Sequence, residues 1–544
     1  MAHSGKILAS SVVRYNGEQL YITGANDNTV TAWAVEEEEQ SRPTTSYASS
    51  PATYIPGSLM MASLAEFVSY KTISSRPEHA EDCRKGATFL GALYKKLGGQ
   101  VEMLRSDDSR NPVVLATFRG KREPASQRKR ILFYGHYDVV PADGKKGNWT
   151  HDPFRMVGVD GYLCGRGVSD NKGPVMAALY AATDLMQSKA LDNDVVFLIE
   201  GEEESGSRGF AATVAANKYL IGHIDYILLA NSYWLDDEVP CLTYGLRGVL
   251  HATVEVRAPQ AADRHSGVDG SFLLDEPLAD LTRVLSRLKG KRNRVMLDGF
   301  YDCVQPVSAD EDKRYDDIVS VLCAGDGPAK ILPATCDRPT TPTSLKQSLM
   351  ARWREPNLTI HRYRVSGPDG SLVPAVANAH VSLRLVPGQE VAAVAQSLTN
   401  FLEDAFGELG SSNRFEVRID NSAEPWLGCP KNGIFTVLEG AVMEVWKDKF
   451  GEDDEEDNKQ SMQTEHDASG EPPLPQRQKP KKPLYIREGG SIPAVRFLEK
   501  EFNAPAAHLP CGQATDAAHL DNERLRVENL VRGRHVFRLV FGRL

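Results

Sequence analysis

The chain has 544 residues, 41% of them hydrophobic and 25% charged, with a formal net charge of −10. That length exceeds what one hydrophobic core supports, so more than one domain is expected. The acidic balance leaves no basic footprint for nucleic acid, and no apolar run approaches the roughly 20 residues that span a bilayer. The opening residues Met1–Lys6 lack the apolar core of a secretion signal, and the eight cysteines are dispersed without a Cys-x-x-Cys pair. Reduced thiols and a cytoplasmic location are therefore expected.

Residues 1–40 read as a β segment of their own. Ser11–Tyr15, an Asn16-Gly17 turn and Gln19–Gly24 predict a hairpin, and Thr29–Trp33 a further strand. With Asp27 in a turn and Trp33 closing the strand, the segment is similar to one WD-repeat blade, cut short. A chance β-meander is the alternative, because a single blade cannot bury its faces. Residues 41–57, rich in Ser, Thr and Pro, read as a linker.

From residue 58 helices and strands alternate. Phe89, Leu90, Leu93 and Leu97 follow helical spacing until Gly98-Gly99 ends the helix. Val113–Phe118, Ile131–Val140, Val195–Ile199 and Tyr226–Leu229 are short apolar runs, with a helical pattern over Val175–Gln187 between them. The expected class is α/β, a mixed sheet with helices on both faces. Tyr244–Gly248 marks a break, and 246–425 reads as an inserted α+β module that separates 58–245 from 426–544. The acidic run Glu452–Asp457 and the Pro/Lys/Gln-rich stretch behind it predict a disordered insertion over 451–483.

Four clusters carry chemistry. His136 and Asp138, two apart in Gly-His-Tyr-Asp-Val-Val-Pro, are expected on one face of a strand, with His136 a metal ligand and Asp138 fixing its tautomer. Asp170 lies among Gly165, Gly167 and Gly173, where a carboxylate can bridge two cations. Glu202, Glu203 and Glu204 follow a strand, and adjacent carboxylates repel unless cations or protons compensate. Glu204 would bind metal and Glu203 act as the base. His519 supplies a second imidazole near the end of the chain. The set reads as a two-metal hydrolase site, with zinc expected and manganese the alternative.

These motifs, together with Arg264–Gly267, Ser382–Pro387, Arg487–Pro493 and Ala518-His519 followed by Asn522-Glu523, resemble the carnosinase/aminoacylase family of dinuclear-zinc peptidases. The resemblance is strongest to its cytosolic dipeptidase branch, and it covers about residues 58–544. It implies a first metal on His136 and Asp170 and a second on Asp170, Glu204 and His519, with Glu203 as general base. It further implies that 246–425 is a lid and dimerisation domain of a catalytic domain formed by 58–245 and 426–544, and that His265 enters the site of a neighbouring subunit in a homodimer formed through this lid. Arg384, Glu488 and the Gly490-Ser491 turn would bind the substrate carboxylate end. One position departs from the family: its third ligand of the first metal is an Asp, where this chain has Asn231, and weaker metal binding is expected there.

The WD-like segment and that departure are closest to a group of fungal glutathione-degrading peptidase subunits that carry WD repeats. Their activity is implied to involve a glutamine-amidotransferase-like partner. The expected function is thus hydrolysis of short peptides, glutathione among them, with no nucleic acid or membrane as partner. A free-standing dipeptidase of Cys-Gly type and a weakly catalytic scaffold are the alternatives.

Overall fold

The computed structural model describes residues 57–105, 110–143, 147–322, 342–368, 370–451 and 479–544, and the backbone of 7–15, 18–25 and 30–35. The expected linker lies outside these residues as far as residue 56, and the expected insertion does so from 452 to 478. Strands β1 (Ile7–Tyr15), β2 (Glu18–Ala25) and β3 (Val30–Val35) pair antiparallel in chain order as a three-stranded sheet.

Helices α1 (Gly57–Ser69) and α2 (Ala80–Lys96) open the larger domain. One face of α2 buries Cys83, Ala87, Leu90 and Tyr94, the stripe that helical periodicity dictates. The chain then turns through Gly98 at φ +103°, a conformation open to glycine. Strands β4 (Gln100–Leu104), β5 (Val113–Phe118) and β6 (Arg130–His136) follow, then helix α3 (Lys172–Gln187) and strands β7 (Asp194–Glu200), β8 (Tyr226–Ala230) and β9 (Cys241–Leu246).

The lid sheet contains β10 (Gly248–Arg257), β11 (Asn357–Val365), β12 (Val376–Leu385) and β13 (Arg414–Ala423), antiparallel in the order β11-β12-β10-β13. The same stretch of chain carries α4 (Pro277–Ser286), α5 (Ala309–Leu322), α6 (Pro342–Trp353) and α7 (Val391–Gly407). Alternate residues Leu250, Ala252, Val254 and Val256 of β10 meet Leu281 and Leu285 of α4 and Leu398 and Leu402 of α7 in a separate core. This is the period of two that leaves one sheet face to helices. Helices α5 and α6 behave differently: Tyr315, Ile318, Leu345, Leu349 and Trp353 are buried in the core of the larger domain.

After the lid, β14 (Trp426–Leu427), helix α8 (Gly433–Val445), β15 (Leu484–Glu488), α9 (Pro493–Phe502), β16 (Ala506–Leu509) and α10 (Val527–Arg543) return to that domain. Its nine-stranded sheet runs β14-β9-β16-β8-β6-β7-β5-β4, with β15 beside β9. Strands β16, β8, β6 and β7 are parallel, and β5 and β4 antiparallel. Every residue of β7 is buried, which requires cover on both faces of the sheet. The first and last crossings between domain and lid are short and adjacent. Only Arg247 separates β9 from β10, Glu424 and Pro425 separate β13 from β14, and β14 pairs with β9 through Leu246 and Trp426.

The carboxyl ends of the parallel strands share one edge of the sheet, where the ligand crevices of such sheets form. His136 ends β6, Glu200 ends β7, Ala230 ends β8 and Leu509 ends β16. No described helix is long and apolar enough to cross a membrane.

Helix α3, whose residues from Lys172 to Leu185 are all buried, packs on α10. Asp184 of α3 accepts from Arg534 of α10 at both oxygens, Nε at 2.8 Å and Nη2 at 2.6 Å, and both side chains are buried. Removing one partner of a buried pair strands the other charge, so Asp184→Ala is expected to destabilise the fold by about 3–5 kcal/mol. Urea denaturation monitored by circular dichroism reads the difference.

Candidate active site

His136 closes β6 with its ring fully buried. Its Nε2 lies 3.0 Å from Asp170 Oδ1, and its Nδ1 lies 3.1 Å from the Asp138 carbonyl and 3.5 Å from the Asp138 carboxylate. The expectation set Asp138 on the strand beside His136. Because β6 ends at His136, Asp138 instead lies in the following loop. Its carboxylate accepts the N–H of Glu203 at 3.2 Å, the N–H of Glu204 at 3.0 Å and the Ser74 hydroxyl at 2.6 Å. The Asp138 backbone carbonyl is thus nearer to His136 Nδ1 than its carboxylate is, and its side chain anchors the Glu203–Ser205 turn.

Asp170 stands between two imidazoles, Oδ1 toward His136 and Oδ2 3.0 Å from His519 Nε2. The loop that presents it is clamped from the far end of the chain. Glu523 accepts the N–H groups of Gly167 at 2.9 Å, Ser169 at 3.0 Å and Asp170 at 3.0 Å, and the Arg166 guanidinium at 2.7 Å. Asn171 bridges two strands: its Oδ1 accepts the His136 N–H at 3.2 Å and its Nδ2 donates to the Ala230 carbonyl. Burial opposes ionisation of Asp170, but hydrogen bonds from His136 and His519 hold its carboxyl well below the usual range.

Glu203 Oε2 lies 4.0 Å from His136 Nε2. Glu204 Oε1 lies 3.1 Å from His519 Nε2, yet this buried oxygen accepts no aligned hydrogen bond. Burial raises the Glu203 pKa well above its ordinary value, with Glu204 and Asp170 adding to the rise and His136 opposing it. Two overlapping groups, His136 with Glu203 and Glu204, and Asp170 with Glu204 and His519, bring their ligand atoms within 4.8 Å of one another. Clustered carboxylates, an orphaned buried oxygen and an all-nitrogen-and-oxygen donor set fit divalent cations such as zinc or manganese. Asn231 stands at the same place, its Nδ2 3.4 Å from His136 Nε2. Its carbonyl accepts from the ring of His508 at 2.9 Å, which burial keeps neutral by pushing its pKa down to about 4.

Above this cluster opens a cavity of about 590 Å³ whose wall includes Asp170, Glu203, Glu488, Gly490, Ser491 and His519. Burial pushes the Glu488 carboxyl up to about 7, against hydrogen bonds from Ser232 and Thr243. Arg384 reaches over from lid strand β12, its Nη1 3.1 Å from Ser491 Oγ. His265 stands apart. It lies in the lid strand Arg264–His265, paired with Leu372–Val373, is exposed, and accepts the N–H groups of Gly267 and Val268 at its Nδ1. Sequence reasoning had assigned no task to Asn171, Glu523, Arg247 or Arg352. Asn171 and Glu523 were visible only as motif neighbours, Arg247 only as a domain break, and Arg352 by no signal.

Residues 132–469 match the profile of peptidase family M20/M25/M40. The probable di- and tripeptidase DUG2 of Saccharomyces cerevisiae is 35% identical over 99% of this chain, which spans 58% of that relative's length. The Cys-Gly metallodipeptidase DUG1 of Candida albicans is 32% identical over 82% of this chain and 84% of the relative. Among solved structures, the dipeptidase Dug1p of Saccharomyces cerevisiae superposes with a TM-score of 0.72 at 26% identity, covering 89% of this chain and 95% of that one.

The Glu523 clamp yields a direct test. Glu523→Ala strands the buried Arg166 and frees three backbone N–H groups, and is expected to cost about 3–5 kcal/mol of stability. Differential scanning calorimetry against the unaltered chain measures it.

Proposed function

The chain belongs to peptidase family M20/M25/M40, and from that premise we propose that it is a metal-dependent hydrolase of short peptides with a free C-terminal carboxylate. In a cell it would serve as the peptidase subunit of a glutathione-degrading complex that cleaves the γ-glutamyl bond beside an amidotransferase-like partner. The observation that carries the reading is Asp170, each of whose oxygens meets a different histidine beneath a cavity that also holds Glu203. Similarity over nearly the whole chain to DUG2, a probable di- and tripeptidase, supports the hydrolysis of short peptides. Similarity to DUG1 over most of that relative favours the second reading, a free-standing Cys-Gly dipeptidase.

His136, Asp170, Glu204 and His519, with Asn231 completing the set, would hold two divalent cations. Bound there, they supply Lewis acidity for the scissile carbonyl and for water. The chain's own residues do the rest. Glu203, a buried carboxyl with a raised pKa, accepts the proton of the attacking water and delivers it to the leaving amine. Asp138 holds Glu203 in place through the N–H groups at 203 and 204. Arg384 and the Gly490-Ser491 turn grip the substrate carboxylate, a guanidinium and backbone donors being the natural seat for it. His265, outside its own chain's cavity, is assigned to the oxyanion in a partner subunit of a lid-mediated homodimer.

Two outcomes test the proposal. Glu203→Ala is expected to lower kcat by roughly 100- to 10,000-fold while leaving metal content intact. The assay is hydrolysis of glutathione and of Cys-Gly by both proteins, with and without the amidotransferase-like partner. Cleavage of Cys-Gly by the isolated chain, with no effect of partner on glutathione, selects the second reading. At the metal site, the neutral Asn231 brings no charge, so calorimetric zinc titration is expected to resolve two unequal sites. Asn231→Asp should tighten the weaker one by roughly tenfold or more.

A further inference from the structure

The buried carboxylate of Asp138 lies between two neighbours that compete for it. Its Oδ1 accepts the Glu203 N–H at 3.2 Å and its Oδ2 the Glu204 N–H at 3.0 Å. His136 Nδ1 stands 3.5 Å from Oδ1, so a small rotation of the Asp138 side chain would close a hydrogen bond to the ring. That rotation would take the carboxylate off the turn that carries Glu203. Instead, Nδ1 meets the Asp138 carbonyl at 3.1 Å.

Ser74, in the loop behind α1 and outside the motifs of the site, decides the competition. Its hydroxyl donates to Oδ2 at 2.6 Å, a shorter contact than either amide makes. Ser74 Oγ also lies 2.7 Å from Ser205 Oγ, in the same turn as Glu203 and Glu204. A hydroxyl has one proton, and that of Ser74 is committed to the carboxylate, so Ser205 donates to Ser74 and Ser74 to Asp138. The turn is thus gripped twice, by its amides and by Ser205. The Ser74 loop is fixed independently of this chain of hydroxyls. Buried Thr72 donates Oγ1 to the Tyr137 carbonyl at 2.6 Å and accepts the Val139 N–H at 2.9 Å. Lys172 Nζ donates to the Phe67 and Tyr70 carbonyls at 3.0 and 2.9 Å.

We infer that Ser74 is a positioning residue for the Glu203–Ser205 turn, its hydroxyl pinning the Asp138 carboxylate there and keeping it off the His136 ring. Without that hydroxyl the carboxylate turns toward Nδ1, and the Glu203 and Glu204 amides lose their acceptor. The inference rests on the peptidase reading only in giving Glu203 a proton to carry.

Hydrogen–deuterium exchange, read by mass spectrometry on the full chain with zinc present, follows those two amides whether or not substrate is turned over. Ser74→Ala is expected to speed exchange in peptides containing Glu203 and Glu204 by roughly tenfold or more, the factor that a lost hydrogen bond to a charged group brings. Helices α3 and α10 should exchange as before, because Thr72 and Lys172 still hold the loop. Ser74→Thr keeps the hydroxyl and should stay within about twofold of the unaltered chain. With Cys-Gly as substrate, kcat should fall roughly tenfold or more in Ser74→Ala and KM stay within about twofold, since Arg384 and Ser491 are untouched. Unchanged exchange in Ser74→Ala, a rise spread over the whole sheet, Ser74→Thr behaving as Ser74→Ala, or an active chain whose kcat ignores the change overturns the inference. The expected local exchange in a chain that hydrolyses neither Cys-Gly nor glutathione upholds it and strikes the peptidase reading alone.

Discussion

The site depends on one use of carboxylates, as clamps for backbone. Glu523 lies 353 residues along the chain from Asp170, yet one of its oxygens holds the Asp170 amide and the other the Gly167 amide and the Arg166 guanidinium. Asp138 does the same for the amides of Glu203 and Glu204. A buried carboxylate is costly unless each lone pair finds a donor, and here the donors are the turns that aim the functional groups. The desolvation cost is thereby offset by interactions available in one loop geometry only. Loops so tied hold their side chains with the precision usually reserved for strands.

Above the clamps, the cavity is polarised. Asp170, Glu203 and Glu204 crowd its floor, while Arg247 reaches the Gly489 carbonyl and Arg384 the Ser491 hydroxyl. On the proposed reading, a peptide with a free carboxylate would meet a field that orients it, carboxylate to the guanidiniums and carbonyl toward the floor. Each end would be unstable without its complement, cations at the floor and an anion at the turn. Binding and neutralisation are the same event.

Much of this was legible because short glycine-rich motifs place the reactive residues at strand ends. His136, Asp170, Glu203, Glu204, Asn231 and His519 were named from those motifs, and they converge at the carboxyl edge of the sheet. The alternation of apolar runs likewise showed the strands to within a few residues. What stayed hidden was pairing over distance. The reading of 246–425 as one inserted module did not show that α5 and α6 pack on the larger core rather than on the lid. Asp138 was misplaced because a strand pattern does not say where the strand ends, and one residue of error turns a side chain to the opposite side.

The connection between the two bodies carries a last consequence. Chain enters the lid through Arg247 and leaves through Glu424 and Pro425, and the strands on the larger-domain side of these crossings are paired to each other. These two tethers lie side by side, and α5 and α6, which bury Tyr315, Leu345 and Trp353 in the larger core, hold the lid stretch to the larger domain at a second place. Arg384 rides on the lid and Ser491 on the larger domain. A carboxylate held by both is a latch, and the free energy that seats it is drawn from the same source as the free energy that keeps the lid shut.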